Sequence, residues 1–380
     1  MLCLVVIFVV AIGLAGWWMW VRPARSSSVA DNLIANFELT KVSLATVAAA
    51  GACVGLVVAY RRQQTAEESQ DLAVRAEDRI AAGQREDSRR DDTRLLNERF
   101  TSASQQLGSE RAAIRLAGIY AMAALADDWE AQRQTCVDVL CGYFRMSSRN
   151  EGNARNGEPD EEVWKAIFQV IRDHLVENAR TRWSGLRFNF RGARFTGQDL
   201  SKIMLDGSEK FDFRDSIVTA EGLTLVQSNF LKGDIDFEGA TIEGCLNFAA
   251  TALRREFSIN VDGLKLGRGG RLHFNYANLQ HKAIINLGVH LGEEGLVSFC
   301  TASLHGGRVN LAGLHMEGGR LDLRIGVLTT EGAFKWPDAL LGTGTILVPE
   351  GDEKAGRLGI PIDHGGVVVM TDSRGQDALF

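Results

Sequence analysis

The segment "LRFNFRGARFTG", Leu186 to Gly197, decides the fold of the C-terminal half of this 380-residue chain. It places Phe190 and Phe195 five residues apart, with the small residue Ala193 two positions before the second ring. A helix repeats every ~3.6 residues and a strand every second residue, so neither element alone produces this spacing. The spacing therefore indicates a chain that turns a corner between two short extended segments.

The same pattern of apolar, any, apolar, any, any, small, any, apolar residues recurs about every 11 to 13 positions. Clear copies begin at Phe188, Phe211, Leu223, Ile235, Leu246, Leu272, Val297, Leu321 and Phe334. Copies at Ile259 and Val309 carry leucine at the small position, and copies near Leu200 and Ile285 are damaged. Self-similarity at a fixed period predicts a repeat architecture, and glycine-bearing units this short favour a β-solenoid over helical repeats.

In this interpretation the apolar and small positions point inward and form a structural repeat core. The predicted core residues are Phe190, Ala193, Phe195, Phe213, Phe230, Phe237, Ala240, Ile242, Phe248, Phe274, Ala277, Leu279, Phe299, Ala302, Leu304 and Leu323. Two units per coil predict six or seven coils, and at about 4.8 Å between stacked strands a rod roughly 30 Å long.

The segments "FRGARFTG" and "FEGATIEG" resemble the pentapeptide-repeat family, whose units have a central Phe or Leu and an inward small residue two positions earlier. The resemblance covers about Phe188 to Thr345 and implies a right-handed, quadrilateral β-helix. The seven-residue half of each unit departs from the five-residue run of the family. The arrangement as a whole is similar to membrane-anchored pentapeptide-repeat proteins of actinobacteria, whose function is uncharacterised.

The N-terminal part predicts a membrane anchor. Residues 1–21 and 42–60 are apolar enough to be two transmembrane helices, joined by a loop at 22–41. A cleaved signal peptide is the alternative for the first segment, although a tryptophan cluster stands where such a peptide would end. We expect a bacterial inner (plasma) membrane protein with both termini and the soluble part in the cytoplasm.

The remaining segments divide by charge and periodicity. We predict a charged helical stalk at 61–104, an α-helical module at 105–182, the pentapeptide-repeat-like solenoid at 183–345 and a C-terminal cap or tail at 346–380. A self-associating coil is the alternative for the stalk. The module is expected to cover the first coil and the tail the last, with Trp164 in the module core and His174 on its surface.

Composition and residue spacing argue against a DNA mimic, a disulfide framework and a metal site. The net charge is -6, and Trp183 to Thr345 holds about 17 basic and 18 acidic residues, which is too balanced for an acidic DNA mimic. The six cysteines follow no disulfide or zinc spacing and are expected to be buried, reduced thiols. The histidines of the C-terminal half, which occupy different offsets within the repeat, are interpreted as unrelated surface residues: His273, His281, His290, His305 and His315.

The sequence contains no catalytic, cofactor-binding or metal-binding motif, and we predict no enzyme activity and no cofactor. The leading hypothesis is a membrane-anchored scaffold or sensor that presents its solenoid to an unknown protein partner. The alternative is a membrane effector, for example in bacterial defence, whose transmembrane hairpin oligomerises and perturbs the bilayer. A DNA-mimic modulator of topoisomerases is less well supported. Expected partners are therefore the lipid bilayer, another protein and a second copy of the chain, but not nucleic acid.

Overall fold

The computed structural model describes residues 11–13, 15–18, 29–149, 160–280, 282–329, 334–349, 358–360 and 368–371. The chain divides into two compact units, Met1–Asp92 and Thr93–Phe380. Helix α1, Val29–Leu107, begins in the first unit and ends in the second. Its segment Thr40–Thr65 is the one helical stretch among these residues that is long and apolar enough to cross a membrane, and its most apolar 18 residues have a mean hydropathy of 2.2.

The predicted anchor is corrected in two respects. The first span, 1–21, lies mostly outside the described residues, which include only 11–13 and 15–18 of it, so two spans are not confirmed. The loop predicted at 22–41 is wrong from Val29 onward, where the chain is helical. No glycine or proline occurs from Val29 to Ala50, and scattered polar residues do not end a helix.

The helical module packs four helical segments around an apolar core. After α1 follow α2 (Ala112–Asp128), a 3-10 turn (Glu130–Gln132), α3 (Arg133–Arg149) and α4 (Glu161–Leu175). The predicted stalk boundary at 104 falls inside α1, because the last turns of this helix belong to the core. Ala103 and Leu107 are buried there, whereas Ile80 is 61% exposed.

A buried ion pair links the helices of the module. Arg115 is 2% exposed and pairs with Asp160, the residue immediately before α4. The Tyr143 hydroxyl of α3 donates to Asp160 Oδ2 at 3.1 Å, and Arg115 Nη1 donates to the carbonyl oxygen of Glu110 at 2.6 Å. A carboxylate is favoured at a helix N-terminus by the helix dipole, so Asp160 is stabilised from two sides.

Beyond Trp183 the chain winds into a parallel β-solenoid of about six turns, which confirms the predicted repeat architecture. Each turn has four faces, numbered here in chain order. Face 1 consists of β1 (Arg187–Asn189), β5 (Glu209–Asp212), the ends of β8 (Asn229–Asp236) and β11 (Ala252–Asn260), β15 (Ile284–Asn286), β19 (Arg308–Asn310) and β23 (Phe334–Lys335). Face 2 consists of β2 (Arg194–Phe195), β6 (Ile217–Val218), β9 (Thr241–Ile242), β12 (Leu264–Leu266), β16 (Val289–Leu291), β20 (His315–Met316) and β24 (Leu340–Leu341).

The other two faces complete each turn. Face 3 consists of β3 (Gln198–Asp199), β7 (Leu223–Thr224), β10 (Cys245–Asn247), β13 (Arg271–His273), β17 (Leu296–Ser298), β21 (Arg320–Asp322), β25 (Thr345–Val348) and β26 (Val368–Thr371). Face 4 consists of β4 (Met204–Leu205), the beginnings of β8 and β11, β14 (Asn278–Gln280), β18 (Ser303–His305) and β22 (Val327–Leu328).

The five-residue spacing of the opening segment is a corner of this solenoid. Phe188 on β1 and Phe195 on β2 face inward from adjacent faces, and Phe190 and Ala193 fill the turn between them. Gly192 adopts a left-handed φ of 67° in that turn, and the Ala193 amide donates to the Phe190 carbonyl oxygen at 3.0 Å. One repeat unit is therefore half a coil, consisting of a strand, a turn and a second strand.

The solenoid continues past its predicted end at Thr345. Strand β25 pairs in parallel with β21, and β26 adds a further strand to the same face. Ile346 and Val348 are buried, so they extend the inward pattern into the segment predicted as a cap. Leu358 is also buried, and its carbonyl oxygen accepts from Trp336 Nε1 at 2.8 Å; most of 349–380 lies outside the described residues.

Candidate interaction surfaces

The interior of the solenoid is closed. All sixteen predicted core side chains are fully buried. Rings at equivalent positions stack along the axis: the Phe248 and Phe274 centroids are 5.1 Å apart, and those of Phe274 and Phe299 are 4.9 Å apart. Among the described residues, a partner can therefore reach only the outward side chains and an end of the solenoid that the rest of the chain leaves uncovered.

A column of Asn and Asp residues follows the inward residue on face 1. Its members are Asn189, Asp212, Asp236, Asn260, Asn286 and Asn310. Asn189 Oδ1 accepts the amide two residues ahead at 3.1 Å, and Asp236 Oδ1 accepts both the Glu238 amide and Asn260 Nδ2 at 3.0 Å. Such side chains close turns by accepting backbone amides, so this column has a structural role.

One carboxylate of this column has an additional partner. Arg214 donates to both oxygens of Asp212, at 2.9 and 2.7 Å. Burial acts to raise the pKa of Asp212, but the bonds from Arg214 hold this pKa below its ordinary value. The pair therefore stays ionised and stabilises the turn between faces 1 and 2.

The helical module covers the first coil, and its side chains bond to the backbone of that coil where a neighbouring strand would. Gln134 Nε2 donates to the Arg187 carbonyl oxygen at 2.8 Å, and the Arg187 amide donates to Gln134 Oε1 at 3.0 Å. The Arg194 amide donates to Ser148 Oγ at 3.2 Å, and Arg149 Nε donates to the Gly192 carbonyl oxygen at 2.6 Å. An open parallel edge invites pairing with another chain, and these side chains occupy it.

Aromatic rings seal the same junction. The Phe144 ring of α3 lies 5.8 Å from Phe190 and 5.4 Å from Phe195, measured between centroids. Phe168 of α4 stacks on Phe190 at 5.1 Å. Trp164, predicted in the module core, is 6% exposed and donates from Nε1 to Ser147 Oγ at 2.8 Å. Module and solenoid therefore share one continuous apolar core.

His174, predicted on the surface of the module, is only partly exposed, at 18% of its side chain. Its Nδ1 lies 2.6 Å from the Val170 carbonyl oxygen, which can only accept, so Nδ1 carries a proton. Its Nε2 lies 3.1 Å from Asp127 Oδ2, and its ring stacks on Trp183 at 4.1 Å. Trp183 Nε1 donates to Asp127 Oδ1 at 2.9 Å. These contacts join α2 and α4 to the start of the solenoid.

Two of the five histidines in the solenoid region are neighbours. His290 and His315 pair in register on β16 and β20, with ring centroids 5.4 Å apart. Val289 and Leu291 of β16 point inward, and His290 between them is exposed, as expected of a surface residue. His281 lies outside the described residues, among which no group of three His, Cys, Asp or Glu side chains could hold a metal ion.

The thiols are less uniformly buried than predicted. Burial raises the pKa of Cys136 to about 11 and that of Cys141 to about 12, and both are enclosed in the module. Cys245 and Cys300 are only half-buried, and Cys53 is exposed. All five are free thiols, and Cys3 lies outside the described residues.

The sequence matches no family model, and no curated protein or solved structure matches it. No local sequence pattern points to Gln134, Ser148 or Arg149, because their partners lie 42 to 53 residues away. The functional conclusion therefore depends on the geometry of this chain alone.

Proposed function

We propose that this protein is a membrane-anchored, non-enzymatic scaffold or sensor that presents a β-solenoid to a cytoplasmic protein partner. One observation carries this proposal: the same chain contains the apolar helix segment Thr40–Thr65 and a solenoid whose interior is closed. No residue in the most apolar window of that segment is buried. A stacked parallel solenoid offers a rigid surface whose side chains recur at fixed spacing, as repeat proteins that bind other proteins do.

The kind of membrane, the topology of the chain and the family of the solenoid belong to the same proposal. We place the anchor in a bacterial inner membrane, with a second span at 1–21 and both termini in the cytoplasm. Free thiols in the described residues agree with a reducing compartment, and Arg61 and Arg62 follow the span as a cytoplasmic flank would. We also propose that the solenoid is a right-handed, expanded relative of the pentapeptide-repeat fold, because parallel crossovers are overwhelmingly right-handed.

Flotation of the full chain with liposomes tests the anchor. We expect the wild-type chain to float and to resist extraction by alkaline carbonate. Val54→Arg, inside the span, should reduce flotation because an arginine near the bilayer centre costs about 2.5 to 3.5 kcal/mol. Val74→Arg, exposed on the same helix outside the span, is the matched control. Equal flotation of both variants would refute the role of Thr40–Thr65 as the anchoring segment.

Proximity labelling in the native host tests the scaffold function. We expect the wild-type chain to label a cytoplasmic protein set that is lost when residues 183–380 are removed. Labelling that is identical with and without the solenoid would contradict this function.

A membrane effector is the second candidate, favoured by Gly51 and Gly55. They lie four residues apart in the apolar segment, and an added Cβ at either would meet no atom within 4 Å. Small residues at this spacing let two transmembrane helices approach closely. This function predicts dye release from liposomes that the double change Gly51→Leu and Gly55→Leu abolishes. Intact liposomes at high protein density would exclude it.

A further inference from the structure

One edge of the solenoid carries a row of basic side chains. This basic edge consists of the turns that join face 4 to face 1 and the first two residues of the face 1 strand that follows each turn. It exposes one or two basic residues after each of five successive coils: Lys210, Lys232, Arg254, Arg255, Lys282 and Arg308. The rise between stacked strands, about 4.8 Å, sets the spacing of the row.

Most of these charges have no partner within the described part of the chain. Lys210 lies 3.6 Å from Asp234, and Lys282 lies 3.4 Å from Glu256. The other four form no ion pair among the described residues: Lys232, Arg254, Arg255 and Arg308. Arg254 and Arg255 adjoin an irregularity in strand pairing between Leu253 and Glu256, and Arg255 has a left-handed φ of 55°. Like charges at this spacing repel each other, so an acidic partner would relieve them.

An acidic row lies on the edge between faces 2 and 3, two faces away from the basic edge. This acidic edge exposes Glu221, Glu243, Glu293, Glu294 and Glu317. Its turns are built from glycines that approach the backbone of the coil below; a Cβ on Gly270 would lie 2.3 Å from the Ile242 carbonyl oxygen. The carboxylates therefore stand on an edge with few other side chains. Arg268, 3.5 Å from Glu294, is the one base in these described turns. The exposed residues Arg271 and Arg320 begin the face 3 strands after two of the turns, and Arg194 lies 4.0 Å from Glu243.

We propose that the basic edge of one copy of this chain docks along the acidic edge of a second copy. The two rows have opposite charge. The acidic row skips the coil whose turn holds Arg268, so it consists of two stretches of two consecutive coils, Glu221 with Glu243 and Glu293 and Glu294 with Glu317. Each stretch can face two consecutive coils of the basic edge, so two or more pairs can form at once. A contact between two different edges leaves each copy with one edge free, so it propagates as a row and does not close as a dimer. The proposal rests on the membrane anchor proposed above.

The anchor matters because each pair is weak. Exposed ion pairs change an equilibrium by at most about fivefold each and are screened by salt. Confinement of anchored chains to one plane raises their effective concentration, which makes several weak pairs sufficient. A single-stranded nucleic acid is a poorer occupant, because no aromatic ring is exposed among the described residues of the basic edge and Phe257 is buried there.

Charge reversal on each edge tests the contact. Variant A is Arg254→Glu with Arg255→Glu; variant B is Glu293→Arg with Glu294→Arg. The charge-matched control is Lys202→Glu with Lys335→Glu, two exposed lysines on neither edge. Full-length chains in liposomes are treated with a carbodiimide, which joins a lysine amine directly to a carboxylate. Links between the two edges are intermolecular, since two faces separate the edges within one copy.

We expect wild type and control to give equal yields of dimers and larger rows. Variant A alone and variant B alone should each give about tenfold lower yields of cross-linked dimers and rows, because two attractions between the edges become repulsions. A mixture of light-isotope A and heavy-isotope B should regain the yield, with mixed-isotope links only. Should B unfold at a lower temperature than wild type, Glu243→Arg with Glu317→Arg replaces it.

A mixture of A and B that couples no better than A alone overturns the proposed contact, and so does a control that loses as much yield as A. Flotation is scored on the same samples. A chain that floats without the predicted coupling leaves the anchor intact and refutes the edge contact. A chain that does not float refutes the anchor, while the comparison of A, B and their mixture still decides the edge contact.

Discussion

Replacement of one ring in the axial stack tests the physical basis of the fold. Phe274 is fully buried between Phe248 and Phe299, with centroids 5.1 and 4.9 Å away. Phe274→Ala removes these contacts and leaves a cavity, which should lower the free energy of unfolding by about 3 to 5 kcal/mol. Tyr276, two residues later, is 68% exposed at a corner. Tyr276→Ala should change it by less than about 0.5 kcal/mol.

Thermal unfolding of the full chain, followed by the strand signal in circular dichroism, measures the difference. A unit of this size shifts by about 2 to 4 °C per kcal/mol, so Phe274→Ala should lower Tm by roughly 6 to 20 °C. Tyr276→Ala controls for loss of an aromatic ring from the same turn. Equal shifts for the two variants would refute the reasoning, because they would show that inward and outward positions of the repeat are energetically alike.

Three further changes test the cap, a turn and a titratable group. Gln134→Ala should lose both bonds to Arg187 and destabilise the first coil by about 1 to 3 kcal/mol, read as faster hydrogen exchange of the Arg187 amide. Gly270→Ala places a Cβ 2.3 Å from a backbone carbonyl oxygen and should cost more than Gly269→Ala, which meets no atom within 4 Å and bears only a left-handed φ; urea titration compares them. Burial lowers the pKa of His273. The unfolded chain then binds a proton that the folded chain excludes, so stability should fall as the pH drops below about 6.5, and His273→Asn should weaken that fall in Tm measured across the range.

The sequence was sufficient for the solenoid because each inward residue is fixed by its own coil. Phe190, Ala193 and Phe195 must fill one corner, and every later coil repeats the requirement. Small departures are also physical: the copy beginning at Ile285 is one residue shorter, which moves Val289 inward and His290 outward. That the module covers the first coil could be predicted from the order of the segments. Its contacts could not, because Gln134 bonds to a strand 53 residues away and leaves no local pattern.

The distribution of charged residues over the edges of the solenoid could not be predicted from composition either. Basic and acidic residues in the solenoid are nearly equal in number, and a net count hides where they lie. The coil assigns each residue to a face or an edge by its position within the turn, so Lys232 and Arg254 meet on one edge although 22 residues separate them. By the same rule Glu243 and Glu317 lie on one other edge, three coils apart. In a repeat fold, the place of each charged residue within its coil therefore predicts a charged surface along the axis, which overall composition cannot predict.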